Sequence, residues 1–228
     1  PQYEGAGVAK VAVDYAPKMI ADRLMDYIRN AGADKSKPFF AYYALNIPHA
    51  NNEAGGEKRI RFDGMRVPDW GSHANLDIPD QEKGFARMID YIDQNVGRIL
   101  STLKELKIDE NTIVIFSSDN GPHQEGRHKM EFFDSNGPLR GMKRDLYEGG
   151  IRVPFIARWP GSVPAKKVSH HISGFRTCSP HCSSWHRSNS STKWMAFRWC
   201  PHSSAKWASV NTTTSTGNSV NGEVRLPC

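Results

Sequence analysis

Asp119 and Asn120 place a carboxylate and an amide oxygen side by side, directly after the apolar run Ile113-Val114-Ile115-Phe116. Hard oxygen donors of this kind suit Ca²⁺ or Mg²⁺, but two of them are too few for such an ion, so other ligands must come from elsewhere. Followed by Gly121-Pro122, the same dipeptide also suits an Asx turn that only ends a strand. Lys143 lies in a Gly-flanked segment, where a cation can neutralise an oxyanion in a transition state; a solvated lysine is the plain alternative. His49 can serve as a general acid or as a neutral donor to an oxyanion, or can stand as a satisfied loop histidine. Glu148, ahead of Gly149-Gly150, is expected to orient its loop rather than titrate in catalysis. His123 and His128 flank a Gly-containing turn at a loose metal spacing.

In open α/β sheets, ligands bind beyond the carboxyl ends of strands, so these residues need strands behind them. Ile113 to Phe116 reads as a parallel strand covered on both faces. Phe39 to Leu45 is aromatic and apolar throughout and predicts a second buried strand, which places His49 just past its carboxyl end. A helix is expected from Asp14 as cap, with Pro17 in its first turn, Ile20, Leu24, Tyr27 and Ile28 on one face, and Gly32 at its end. Residues 53–79 alternate Gly, Pro and charge and read as a long loop on the substrate side. Phe85, Met88, Ile89, Ile92, Val96, Ile99, Leu100, Leu103 and Leu106 then fall at helical spacing. Val153 to Trp159, closed by Pro160-Gly161, predicts one more strand. This order of elements predicts an α/β fold, a parallel-rich sheet with crossover helices.

A chain of 228 residues is long enough for one such domain or two small ones. No stretch approaches the roughly 20 apolar residues of a membrane span, and Pro1-Gln-Tyr-Glu4 carries no signal pattern. Without an initiator Met, the sequence reads as a fragment. The net charge of +6 is lopsided: residues 176–228 hold six Lys/Arg against one acid, so the body is near neutral and offers no nucleic-acid surface.

Taken together, the segments resemble the sulfatase family, arylsulfatase-type enzymes of the alkaline phosphatase-like superfamily. The resemblance rests on Phe39-Phe-Ala-Tyr42 with Ile47-Pro-His49, then Ser118-Asp-Asn-Gly-Pro-His123. It continues in Phe132-Phe-Asp-Ser-Asn-Gly-Pro-Leu-Arg-Gly-Met-Lys143 and in Tyr147-Glu-Gly-Gly-Ile-Arg-Val-Pro154, running to Gly161. It implies sulfate-ester hydrolysis by a Cys or Ser oxidised to formylglycine, beside a Ca²⁺ ion. Asp119 and Asn120 would be two calcium ligands, Lys143 would contact the sulfate, and His49 would sit beside the leaving-group oxygen. It also implies a sulfated small molecule or carbohydrate as substrate, and a periplasmic, secreted or lysosomal location. The family's Cys/Ser-x-Pro-x-Arg motif and early Asp-Asp ligands are missing from the body. Nucleophile and remaining ligands are therefore expected upstream, and this chain alone is expected to show no turnover and weak calcium affinity. Within the fold the alternative is a phosphoryl-transfer metalloenzyme.

The sulfatase-like portion is read as residues 1–175, and an irregular tail as 176–228. The tail holds 17 Ser or Thr, all four cysteines and four of the six tryptophans. A disordered linker, a basic arm or a zinc module (Cys178, Cys182, His186, Cys200, His202) are readings of it, although the spacing fits no standard finger. Another comes from the genetic code. With each codon read one base earlier, Trp194-Met195-Ala196 gives Asp-Gly, and degeneracy permits amphipathic peptides in one frame over about 50 residues. They look like the continuation sulfatases have after this point. A single-base frameshift near Arg176 is the expectation, with no packed core and no function in the tail.

Overall fold

A computed structural model describes residues 14–52 and 64–170, residues 172 and 174, and the backbone of 193–197. The first helix, α1 (Ala16–Ala33), has Pro17 in its opening turn, where a missing N–H costs nothing. Its N-cap is Tyr15 rather than Asp14, and no side chain caps it. The buried face carries Pro17, Ala21, Met25, Ile28 and Gly32. Of the apolar stripe read from sequence, Ile28 is buried while Ile20 and Tyr27 stay exposed. Ala21 and Met25 take the buried positions next to Ile20 and Leu24. Gly32 sits close against the core: a β-carbon there would lie 2.9 Å from both Ile108 Cδ1 and Leu106 Cδ1, so those side-chain ends would have to move.

The strand β1 (Phe40–Tyr43) alternates, with Ala41 and Tyr43 inward and Phe40 and Tyr42 outward. It is therefore half-covered, against the expectation of full burial, and it lies at the sheet's edge. The long helix α2 (Asp80–Glu105) buries Met88, Ile99 and Leu103, with Phe85, Ile92, Val96, Leu100 and Leu106 packed around them; Ile89 faces out. Each such buried side chain contributes about 1.5–3 kcal/mol. Asp80 and Glu82 favour the helix start through the macrodipole. Arg98 of α2 reaches Asp22 of α1 at 2.7 Å, and Asn95 donates to the Tyr43 hydroxyl at 3.3 Å, so helices and sheet are tied by polar contacts as well.

A 3₁₀ turn, Asp109–Asn111, feeds β2 (Thr112–Ser117), whose residues are buried except for the half-buried Phe116. Burial on both faces is what the continuous apolar run predicts. After the short α3 (Glu148–Ile151) comes β3 (Phe155–Arg158), shorter than the run from Val153 to Trp159 and largely exposed. It pairs antiparallel with β2, Phe116 opposite Ile156, and Arg158 locks to Asp109 through two bonds of 2.6 and 2.8 Å.

The sheet order is β1-β4-β2-β3, where β4 is Lys193–Phe197. One sequence expectation is met in part and another fails here. The sheet is small and mixed: β1 and β2 each pair parallel with β4, while β3 runs antiparallel to β2. The tail is not irregular throughout, since Lys193–Phe197 pairs with β1 on one side and β2 on the other. Unselected or not, Trp194-Met-Ala-Phe197 is apolar enough to take a strand position between two open edges. The remaining tail residues, including the cysteines and the zinc candidates Cys178, Cys182, His186, Cys200 and His202, lie outside the described residues.

Candidate active site

The segments after β1 and β2 meet at the carboxyl ends of these strands. Asn46 to His49 turns sharply, with a cis Ile47-Pro48 bond and the His49 N–H donated to Asn46 O at 3.1 Å. The turn after β2 is pinned by two backbone bonds: Gly121 N–H to Gly150 O at 2.9 Å and Lys143 N–H to Pro122 O at 2.8 Å. The second explains how Lys143, far away in sequence, reaches this edge. Gly121 is needed because any β-carbon would collide with the Gly149 carbonyl.

His49 and Lys143, singled out separately in the sequence, come together. Lys143 Nζ lies 2.7 Å from His49 Nε2, and His49 Nδ1 lies 2.6 Å from Ala50 O. A carbonyl only accepts, so Nδ1 carries the ring proton and Nε2 accepts from the ammonium. Glu125, which the sequence reading passed over, completes the group. Its Oε2 accepts from Lys143 at 3.1 Å and from Asn52 at 3.2 Å, and its Oε1 accepts from Arg144 at 2.7 Å. Burial pushes the Glu125 carboxyl upward, but the hydrogen bonds from Asn52 and Lys143 and the Lys143 charge outweigh it, holding it down at about 2.

The two other histidines do not form a metal pair. His123 Nδ1 accepts from the Glu125 N–H at 3.0 Å, so its Nε2–H donates to Pro48 O, also at 3.0 Å. Burial lowers its pKa, which agrees with a neutral ring. His128 is buried and donates Nδ1–H to Glu82, whose other oxygen accepts the Lys129 N–H at 3.0 Å. The His128 ring stacks on Phe85 with centroids 3.8 Å apart. Glu82 anchors the post-β2 loop to the start of α2. A charged residue buried on an otherwise apolar helix face was the signal that could have revealed it.

Asp119 and Asn120 sit half-buried directly after β2. Asn120 donates Nδ2–H to Gly121 O at 2.8 Å, which leaves its Oδ1 as the oxygen available to a cation. No hydrogen bond or ion pair among the described residues joins this dipeptide to His49 or Lys143; the link between them is the Pro122–Lys143 backbone bond. Among the described residues no group of three or more His, Cys, Asp or Glu could hold a metal ion, and no helix is long and apolar enough to cross a membrane. Glu148 begins α3 and pairs with Arg152 at 3.6 Å on the surface, without reaching the loop it was expected to orient.

Comparison with known proteins places this edge in context. A family model described as Sulfatase matches residues 5–182. N-acetylgalactosamine-6-sulfatase of Canis lupus familiaris is 36% identical over 154 residues, covering 65% of this chain and 24% of the relative. A sulfatase of Formosa agariphila is 31% identical over 164 residues, covering 67% of this chain and 27% of the relative. The crystal structure of Ps i-CgsB in complex with k-i-k-neocarrahexaose superposes with a TM-score of 0.57 at 27% identity, over 71% of this chain and 32% of that one. The chain thus spans about a quarter of the length of the curated relatives it matches. With the family's match running over residues 5–182, through both strand ends and the Lys143 segment, the chain belongs to the sulfatase family.

Proposed function

We propose that this segment supplies the anion-binding part of a sulfate-ester hydrolase acting on a sulfated carbohydrate. The carrying observation is the Lys143 ammonium, fixed 2.7 Å from His49 Nε2 and 3.1 Å from Glu125 Oε2 at the strand edge. Those two acceptors take two of its three N–H groups and leave the third for a sulfate oxygen. Lys143 would bind the sulfate and offset the charge that grows on its oxygens as the S–O bond breaks. His49 would stand beside the leaving-group oxygen, its ring orientation set by Ala50 O and its Nε2 in proton exchange with the ammonium.

Asp119 and Asn120 fit a hard cation in kind, offering a carboxylate and the free amide Oδ1. In number they cover part of the about six to eight oxygens that Ca²⁺ takes. These two residues would hold Ca²⁺, or Mg²⁺, together with ligands from outside this chain, and the bound ion would supply positive charge against the sulfate. The formylglycine nucleophile is likewise expected upstream, so the 228-residue chain by itself is expected to bind rather than turn over. The carbohydrate assignment is supported by relatives named N-acetylgalactosamine-6-sulfatase and by the neocarrahexaose in the Ps i-CgsB complex. A periplasmic, secreted or lysosomal setting goes with this reading. So does the proposal that residues 176–228 follow a frameshift.

The test is a titration of inorganic sulfate, then inorganic phosphate, into the chain with Ca²⁺ present, reading Lys143 Nζ and the His49 ring by NMR. Saturable shifts at both with sulfate are expected. A response to phosphate alone would transfer the site to phosphoryl chemistry, and silence toward both anions would overturn the reading.

A further inference from the structure

Glu125 lies on the loop after β2 but is held by donors from other segments: Asn52 beyond β1, and Lys143 and Arg144 ahead of α3. Its side chain is only 11% exposed. Arg144 reaches Oε1 from a backbone at φ 80°, the left-handed region that a β-carbon disfavours. A non-glycine residue there is strained, and the surrounding structure must over-determine it. Here the Met142–Asp145 turn does so, with Asp145 N–H donated to Met142 O at 2.9 Å and Met142 N–H to Asp145 Oδ2 at 3.0 Å.

The second feature is a triangle. Glu125 Oε2 and His49 Nε2 are 3.1 Å apart, and Lys143 Nζ lies within 3.1 Å of the first and 2.7 Å of the second. Were His49 protonated on Nε2, two cationic N–H groups would face each other at 2.7 Å. With Nε2 bare, one ammonium bridges two acceptors and offsets their mutual repulsion. Only the second arrangement satisfies all three distances.

We propose that Glu125 is a positioning residue: its carboxylate anchors the Lys143 ammonium against His49 Nε2 and so, together with the Ala50 carbonyl on Nδ1, fixes His49 in the tautomer protonated on Nδ1. This rests on the sulfate-ester reading, in which Lys143 and His49 are the groups that meet the substrate. Glu125 acts through them without touching it. Arg144 takes the second carboxylate oxygen and prevents the carboxylate from turning away.

The test uses the 228-residue chain labelled with ¹⁵N at histidine, and reads ring nitrogens without sulfate, metal or turnover. In the unaltered chain His49 should show a protonated Nδ1 and a bare Nε2. In Glu125→Gln the anchor weakens, and His49 should become a mixture of tautomers. His123 should keep its Nε2–H form, because its partner is the backbone N–H of residue 125, which the substitution preserves. A His49 pattern unchanged in Glu125→Gln overturns the proposal. If His123 changes too, the loop has come apart, and Lys143→Met decides. With the ammonium gone, Glu125 faces Nε2 directly and should draw the proton onto it, whereas an unmoved Nδ1–H tautomer overturns the proposal. Sulfate binding is read separately, so a chain that ignores sulfate refutes the functional reading while leaving this result standing.

Discussion

Acidification should dismantle the site through Glu125. Burial pushes this carboxyl up from its ordinary 4.5, yet the hydrogen bonds from Asn52 and Lys143, with the Lys143 charge, hold it at about 2. A carboxyl depressed by folding stabilises the native state fully above its unfolded value, and that contribution disappears as pH falls from about 4.5 through about 2. The interval is roughly 2.5 pH units, and at about 1.4 kcal/mol per unit it corresponds to about 3 kcal/mol. The side chain is 11% exposed, so solvent screens little of it. The assay is urea denaturation of the chain and of Glu125→Gln from pH 7 to 2, with the ¹³Cδ resonance of Glu125 followed in parallel. The stability difference between the two should be level above pH 5 and change by about 3 kcal/mol on the way down. A carbon resonance with its midpoint near 4.5, or a difference that does not vary with pH, would refute the reasoning about this cluster.

Three further outcomes are expected. Gly121→Ala drives a β-carbon into the Gly149 carbonyl, so thermal denaturation should report a loss of several kcal/mol, larger than an ordinary surface change of about 0.5. Arg158→Ala removes the two-pronged bond to Asp109, and chemical denaturation should show a loss of about 2 kcal/mol, smaller at low pH where Asp109 is protonated. Resequencing the coding DNA across Phe175-Arg176 should reveal a single-base shift, and an intact frame there removes that proposal.

The sequence was informative wherever one local pattern decided the structure. Helical spacing located α2, and the run Ile113 to Phe116 marked a doubly covered strand that ends at Ser117, ahead of Asp119. His49 was legible from its place past a strand end, Lys143 from its Gly-flanked segment and both from the family resemblance, and the fold brings them into contact. Glu125 was invisible because a loop glutamate has no period, and its role depends on donors up to 73 residues away. The order of the strands was hidden for the same reason. Strand direction and neighbour are settled by long-range pairing, and a five-residue segment from the Ser/Thr-rich tail occupies the place between β1 and β2. On α1, Ile20 and Tyr27 were placed inside because size was read as burial, although small Ala21 lets α2 approach closely.

The most direct test of the central claim is the affinity of the chain for inorganic sulfate, compared between the unaltered sequence and Lys143→Met. If the ammonium held between Glu125 and His49 is the sulfate-binding group, the substitution should weaken binding by about tenfold or more, the worth of a charge-assisted hydrogen bond, and abolish the sulfate-induced shift of the His49 ring. Equal affinity in the two proteins, with the His49 shift intact, would contradict it.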